Sequence, residues 1–173
     1  MKIYFIRHPK TQNNKERLFS GQLDLLPLEE GLEEARRMAH EIPADFTLIY
    51  SSDFIRCKQM VEILNEQLRL PVIYDPRLKE RKFGSLEGES MDVMNGLNFE
   101  EKNKLIIAHG GESFVEFGKR IFDCIEYMKE NNPNDKILVV TSGGVIRLLY
   151  KKLKNISFEA GQIPNSSIHE FEF

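Results

Sequence analysis

Apolar and polar positions along this chain follow two periods. The runs KIYFI (2–6), TLIYS (47–51), PVIYD (71–75), KILVVT (136–141) and IHEFEF (168–173) are rich in β-branched and aromatic residues and read as strands. The segments between them carry a helical period. Leu32, Ala35, Met38, Ala39 and Ile42 share one face, as do Phe54, Cys57, Val61, Leu64 and Leu68, and then Phe114, Phe117, Ile121, Ile125 and Met128. After the run ending at Thr141, two glycines open a turn and a further apolar helix. Strands alternating with helices predict a mainly parallel sheet covered on both sides. The last strand alternates apolar and polar residues and is expected to run antiparallel at an edge. Segment 85–112 is less regular; its stretch MDVMNGLNFEEKNK predicts one or two short helices forming a small cap.

A chain of 173 residues with 41% hydrophobic composition fits a single domain, 1–173, able to bury its core without disulfides or metals. The formal charge of −3 offers no global attraction to nucleic acid or to an anionic membrane, so anion recognition must be local. The opening MKIYFIRHPK is too short in apolar residues for a secretory signal, and no later stretch is long enough to span a bilayer. A soluble, cytoplasmic protein is expected, with no nucleic-acid or membrane partner. Cys57 and Cys124 lack C-x-x-C spacing and lie on helical stripes, which makes them core thiols of a reducing compartment.

In sheets of this kind, ligands gather at the carboxyl ends of the strands. That rim collects Arg7 and His8 after the first strand, Ser52 and Arg56 after the second, Glu80 and Arg81 after the third, and Ser142, Gly143 and Gly144 after the fourth. Singly, each has a plain reading: a turn histidine, a solvated helix arginine, a glutamate paired within KERK. Together they describe a phosphate site. Two guanidinium forks suit phosphoryl oxygens, and the glycine turn opens a helix whose N–H groups favour an anion. A neutral imidazole, His8, can attack phosphorus, and a protonated Glu80 can supply the departing alkoxide with its proton. HGGES (109–113) starts the following helix, with Glu112 or Ser113 supporting its N-terminus and His109 within reach of the pocket from the cap.

Six fragments in order resemble the histidine phosphatase superfamily of phosphoglycerate mutase-like proteins, over nearly the whole chain. FIRHPKTQNN is similar to the family's Arg-His-Gly opening, with Asn14 following. LFSGQLDLLPLEEGLEEA resembles its next block, SSDFIRCKQM the segment carrying the second arginine, and RLKERKFGSLEG the segment carrying the acid. VVTSGGVIRLL resembles the strand and turn that carry the second histidine, and PNSSIHEFEF the closing strand. The resemblance implies a three-layer α/β/α sandwich, no metal and no cofactor, and a phosphohistidine on His8. It also implies that Arg7, Arg56 and the second histidine hold the phosphoryl oxygens, with Asn14, Ser20 and Gly21 lining the pocket. Two residues depart from the pattern. Ser142 stands where the family has its second histidine, and Pro9 replaces the glycine beside the nucleophile, fixing φ and removing an N–H.

The expected activity is hydrolysis of a small phosphorylated metabolite, a phosphomonoester, impaired by Ser142. A compact chain leaves little material for a lid that would keep water from a phosphoenzyme, which favours hydrolysis over mutase chemistry. Arg81, which follows the acid as in the family's mutases, argues the other way. A binding protein that holds a phosphorylated ligand without turning it over is the third reading. A further reading, Ser142 as a hydrolase nucleophile on a strand-turn-helix elbow, is disfavoured: the G-x-S-x-G pattern has glycine where Val140 stands, and only Gly144 agrees.

Overall fold

The computed structural model describes residues 1–173. Five strands, β1 (Lys2–Arg7), β2 (Leu48–Ser51), β3 (Val72–Tyr74), β4 (Ile137–Thr141) and β5 (Ile168–Glu172), form one sheet in the order β3-β2-β4-β1-β5. All neighbours are parallel except β5, which runs antiparallel to β1 at the edge. β4 has every residue buried, which explains its unbroken apolar run ILVVT in the centre of the sheet. In β5 only Phe171 is buried, as the alternation of an edge strand demands.

Alternate residues of the strands feed two cores. Ile3, Phe5, Tyr50, Ile137 and Val139 face α5 (Phe114–Asn131) and α6 (Gly143–Lys154), meeting Phe117, Ile121, Ile125, Val145 and Leu149. Ile6, Ile49, Leu138 and Val140 face α2 (Glu29–Ala39) and α3 (Ile55–Leu68), meeting Ala35, Ala39, Met60, Val61 and Leu64. Helices thus cover both faces, the α/β arrangement anticipated from the sequence. Cys57 and Cys124 lie in these cores, free and buried, and burial pushes both thiols up to about 12. No helix is long and apolar enough to cross a membrane.

Helix ends follow local chemistry. Glu29 and Glu30 open α2 and Arg36 and Arg37 close it, matching the helix dipole. α5 begins with a capping box, Ser113 accepting from the Glu116 N–H while the Glu116 carboxylate accepts from Ser113 N–H. A short helix, α1 (Gln12–Glu16), was not anticipated; it is a single turn closed by a second capping box between Thr11 and Asn14.

Segment 85–112 contains short 3-10 turns and one helix, α4 (Phe99–Ala108). Leu86 and Ile106 of this segment form a third, small cluster with Phe19 and Phe83. Backbone bonds tie it to residues 17–19: Phe19 N–H donates to Glu89 O (2.9 Å) and Met91 N–H to Arg17 O (2.9 Å). This keeps the segment on the rim at the carboxyl ends of the strands.

Because Ile121 is wholly buried between α5 and the sheet, Ile121→Ala is expected to lower unfolding free energy by about 2–5 kcal/mol. Urea denaturation measures it, and a loss below about 1 kcal/mol contradicts this packing.

Candidate active site

Strand register builds the site. Arg7 pairs with Thr141 in the parallel β1–β4 ladder, and Ser51 pairs with Val140 in β2–β4. The ladder continues one step past the strands, His8 N–H donating to Thr141 O (2.9 Å) and Ser52 N–H to Val140 O (3.0 Å). His8 and Ser142 therefore leave adjacent strands side by side.

The His8 imidazole is 3% exposed, and its Nδ1 lies 2.7 Å from Pro9 O. A carbonyl can only accept, so Nδ1 carries the proton and the Nε2 lone pair is free. Burial, together with the Arg56 and Arg7 charges, holds His8 well below the usual histidine range. At neutral pH the ring is uncharged. Pro9, which offers no N–H, contributes through its carbonyl, which fixes the tautomer.

Both arginines are buried among backbone acceptors. Arg7 Nη1 donates to Ile163 O, and a side chain at Gly143 would bring Cβ within 3.0 Å of Arg7 Nε. Burial, then repulsion from Arg147, lowers its pKa to about 10 against the pull of Glu80. Arg56 is fully buried, donating from Nη1 to Leu23 O (2.6 Å) and from Nη2 to Gly21 O (3.1 Å), with its guanidinium 4.3 Å from the centre of the Phe54 ring. Gly21 holds that carbonyl in place at φ +47°, a left-handed conformation that favours glycine. Arg7 Nε, Arg56 Nε, Ser20 Oγ and Ser142 Oγ are buried without a hydrogen-bond partner in the chain. Buried donors of this kind call for an acceptor, and an anion with several oxygens suits them.

Glu80 occupies the start of α6. Its Oε2 accepts from Gly144 N–H and its Oε1 from Arg81 N–H, both at 2.8 Å. A side chain at Gly144 would overlap this carboxylate, so the glycine makes room for the acid. The helix N–H expected to meet a ligand anion thus meets the chain's own carboxylate. Ser142 is the N-cap residue of α6 but makes no side-chain cap bond.

Other candidates sit as struts. Asn14 Oδ1 accepts from Thr11 N–H (3.1 Å) and from Asn165 Nδ2 (3.2 Å), and Asn165 Nδ2 also donates to His8 O (2.9 Å). Arg81 donates from Nε to Glu112 O (2.8 Å) and from Nη2 to Asn103 Oδ1 (2.5 Å), fastening the acid segment to α4. His109 is exposed, its Nδ1 2.8 Å from Ser85 Oγ. Asn165, Thr141, Glu112 and Arg120 belong to this framework, and the sequence reading did not single out their contacts. Local signal was weak for all of them; the capping pattern around HGGES offered Glu112 or Ser113, and Ser113 is the cap.

The chain has relatives among known proteins. The sequence model of the histidine phosphatase superfamily (branch 1) matches residues 3–173. The chain is 32% identical over 177 residues to a metal-independent phosphoserine phosphatase of Arabidopsis thaliana, covering 96% of this chain and 74% of that protein. It is 27% identical to a broad-specificity phosphatase of Saccharomyces cerevisiae, over 94% of this chain and 74% of that protein. Among solved structures, phosphoglycerate mutase from Thermus thermophilus superposes with a TM-score of 0.77 at 28% identity, covering 100% of this chain and 94% of that one.

Depression of the His8 pKa ties stability to pH. Below the ordinary value of 6.5 the unfolded chain binds a proton that the folded chain refuses. Stability is therefore full above that pH and falls as acid is added, by at most about 1.4 kcal/mol per pH unit from this group. His8→Asn, whose Nδ2 can still donate to Pro9 O, is expected to flatten this part of the curve. Denaturation midpoints between about pH 7.5 and 5.5 check it, and equal slopes in both proteins contradict it.

Proposed function

The chain belongs to the histidine phosphatase superfamily, and on that premise we propose that it hydrolyses a small phosphomonoester through a phosphohistidine on His8, at a rate reduced by Ser142. One observation carries this reading: a neutral imidazole with Nδ1 engaged lies in the field of two buried guanidinium groups whose Nε atoms have no partner. Nε2 of His8 attacks phosphorus as the ester P–O bond breaks, and protonated Glu80 gives its proton to the departing alkoxide. Water then attacks the phosphohistidine and passes a proton to the Glu80 carboxylate. Inorganic phosphate leaves, and His8 returns to its neutral form. Arg7, Arg56, Asn14 and Ser20 hold the phosphoryl oxygens, with Gly21 and Gly143 keeping the pocket walls free of side chains.

Ser142 offers a hydroxyl where the family's pattern has an imidazole. It is shorter and uncharged, and it reaches phosphate poorly or through water. Losing one well-aimed donor to developing charge costs about 10²–10³ in rate in comparable sites. Hydrolysis is favoured over mutase chemistry because Arg81, the residue that speaks for a mutase, has two guanidinium nitrogens bonded to Glu112 O and Asn103. Substrates are small phosphorylated metabolites, with segment 85–112 acting as a cap that sets the choice among them. Free buried thiols fit a cytoplasmic setting. The Ser142 substitution itself favours a second reading, a protein that binds a phosphorylated ligand without turnover.

Ser142→His is expected to hydrolyse a generic aryl phosphate about 10²–10³ faster than the parent, with acid-labile phosphate on His8. Adding His8→Asn is expected to abolish both. Absence of turnover by parent and Ser142→His from acid to neutral pH would end the phosphatase reading. Thermal stabilisation by inorganic phosphate without label on His8 would then support the binding reading.

A further inference from the structure

Glu80 follows a 3-10 turn, Pro76–Leu78, on a loop, and four consecutive carbonyls of turn and loop, Arg77 to Glu80, accept from side-chain donors. Thr141 Oγ1, fully buried at the end of β4, donates to Leu78 O at 2.7 Å. Arg120, on α5, holds the other three: Nη1 donates to Arg77 O and Lys79 O at 2.7 Å each, and Nη2 to Glu80 O at 2.9 Å. The remaining guanidinium protons meet the Glu112 carboxylate, Nε at 2.7 Å from Oε1 and Nη2 at 2.8 Å from Oε2. All five N–H donors of Arg120 are thereby engaged, and its face lies 4.9 Å from the centre of the Phe117 ring. The pair is largely sheltered, with side-chain exposures of 20% and 15%.

This arrangement needs the planar fork of arginine. A lysine ammonium has three donors and no fixed plane, so it cannot reach three carbonyls and a bidentate carboxylate together. Glu112 orients the guanidinium and supplies the counter-charge for its burial. Its backbone completes the frame, since Glu112 N–H donates to Lys82 O (2.9 Å) and Glu112 O accepts from Arg81 Nε (2.8 Å).

We infer that Arg120, oriented by Glu112, is a positioning residue that sets where the Glu80 carboxyl stands against the α6 N-terminus and the leaving oxygen. Arg120 bonds to Glu80 through its backbone carbonyl and acts on proton transfer only through the carboxyl that this backbone aims. The inference rests on the proposed acid role of Glu80. Its chemical signature is dependence on the leaving group. An alkyl phosphate departs as a basic alkoxide that needs the Glu80 proton, whereas a dinitrophenolate departs without it. In the phosphorylation step a displaced acid therefore harms the first ester and spares the second, whereas water attack on the phosphohistidine, in which Glu80 takes the proton, slows alike for both.

The test compares Arg120→Ala and Arg120→Lys, each in the Ser142→His background, with that background itself. In single-turnover measurements, phosphohistidine formation from an alkyl phosphate is expected to fall about 10²-fold and from 2,4-dinitrophenyl phosphate less than about threefold. Hydrogen exchange supplies an arm that needs no turnover. The Gly144 amide, which donates to the Glu80 carboxylate, is expected to exchange at least about tenfold faster in both variants, while amides of β4 keep their protection. Equal loss of the phosphorylation rate with both esters, or unchanged Gly144 exchange in a folded variant, overturns the inference. If Ser142→His turns over neither ester, the phosphatase reading fails, and Gly144 exchange alone decides the positioning role. Where Arg120→Ala fails to fold, Arg120→Lys carries the comparison.

Discussion

Burial of two guanidinium groups beside one uncharged imidazole is the constraint around which this rim is organised. Removing like charges from water together is costly unless each finds acceptors. The fold supplies them from backbone: Ile163 for Arg7, and Leu23 and Gly21 for Arg56. Several donors remain without partners, and burial together with the same positive field holds His8 below the usual histidine range. One electrostatic arrangement thus does two things. It leaves the His8 ring uncharged and leaves buried donors that suit an anion better than a neutral molecule.

The acid is governed by a separate set of contacts. Glu80 takes two backbone N–H groups, one from α6, so that the helix start that could have bound ligand instead holds the chain's own carboxyl group. Its loop has no ladder of its own and relies on Arg120 and Thr141 for order. Thr141 belongs to the strand that delivers Ser142, and Arg120 to the helix packed on the opposite side of that loop. Sheet, helix and Glu80 are therefore coupled through a few short hydrogen bonds, while Arg7 and His8 depend on the end of β1 and Arg56 on the first turn of α3.

Much of this was legible in the chain because periodicity is local. Alternation in IHEFEF announces an exposed edge strand, the unbroken ILVV a central one, and the Phe117, Ile121, Ile125 stripe a helix lying on the sheet. Rim residues follow from strand ends alone, since parallel strands present their carboxyl ends together. The short helix after Thr11 escaped notice because one turn gives no period to detect. Arg120 and Asn165 escaped for another reason: their partners lie some 40 and 157 residues away in sequence, and nothing local separates a clamping arginine from a solvated one. The glycine pair reads in the sequence as a place for a ligand anion, whereas the Gly144 N–H meets a carboxylate of the chain itself, which only the three-dimensional arrangement reveals.

The central claim is that His8 is a neutral imidazole whose Nδ1 holds the proton and whose Nε2 is free beside two cations. Nitrogen NMR of the His8 side chain, recorded through neutral pH down to about pH 5.5 where an ordinary histidine is mostly charged, tests it directly. The account predicts a neutral ring protonated at Nδ1 over that range. A positively charged ring at neutral pH, or a proton on Nε2, would contradict it.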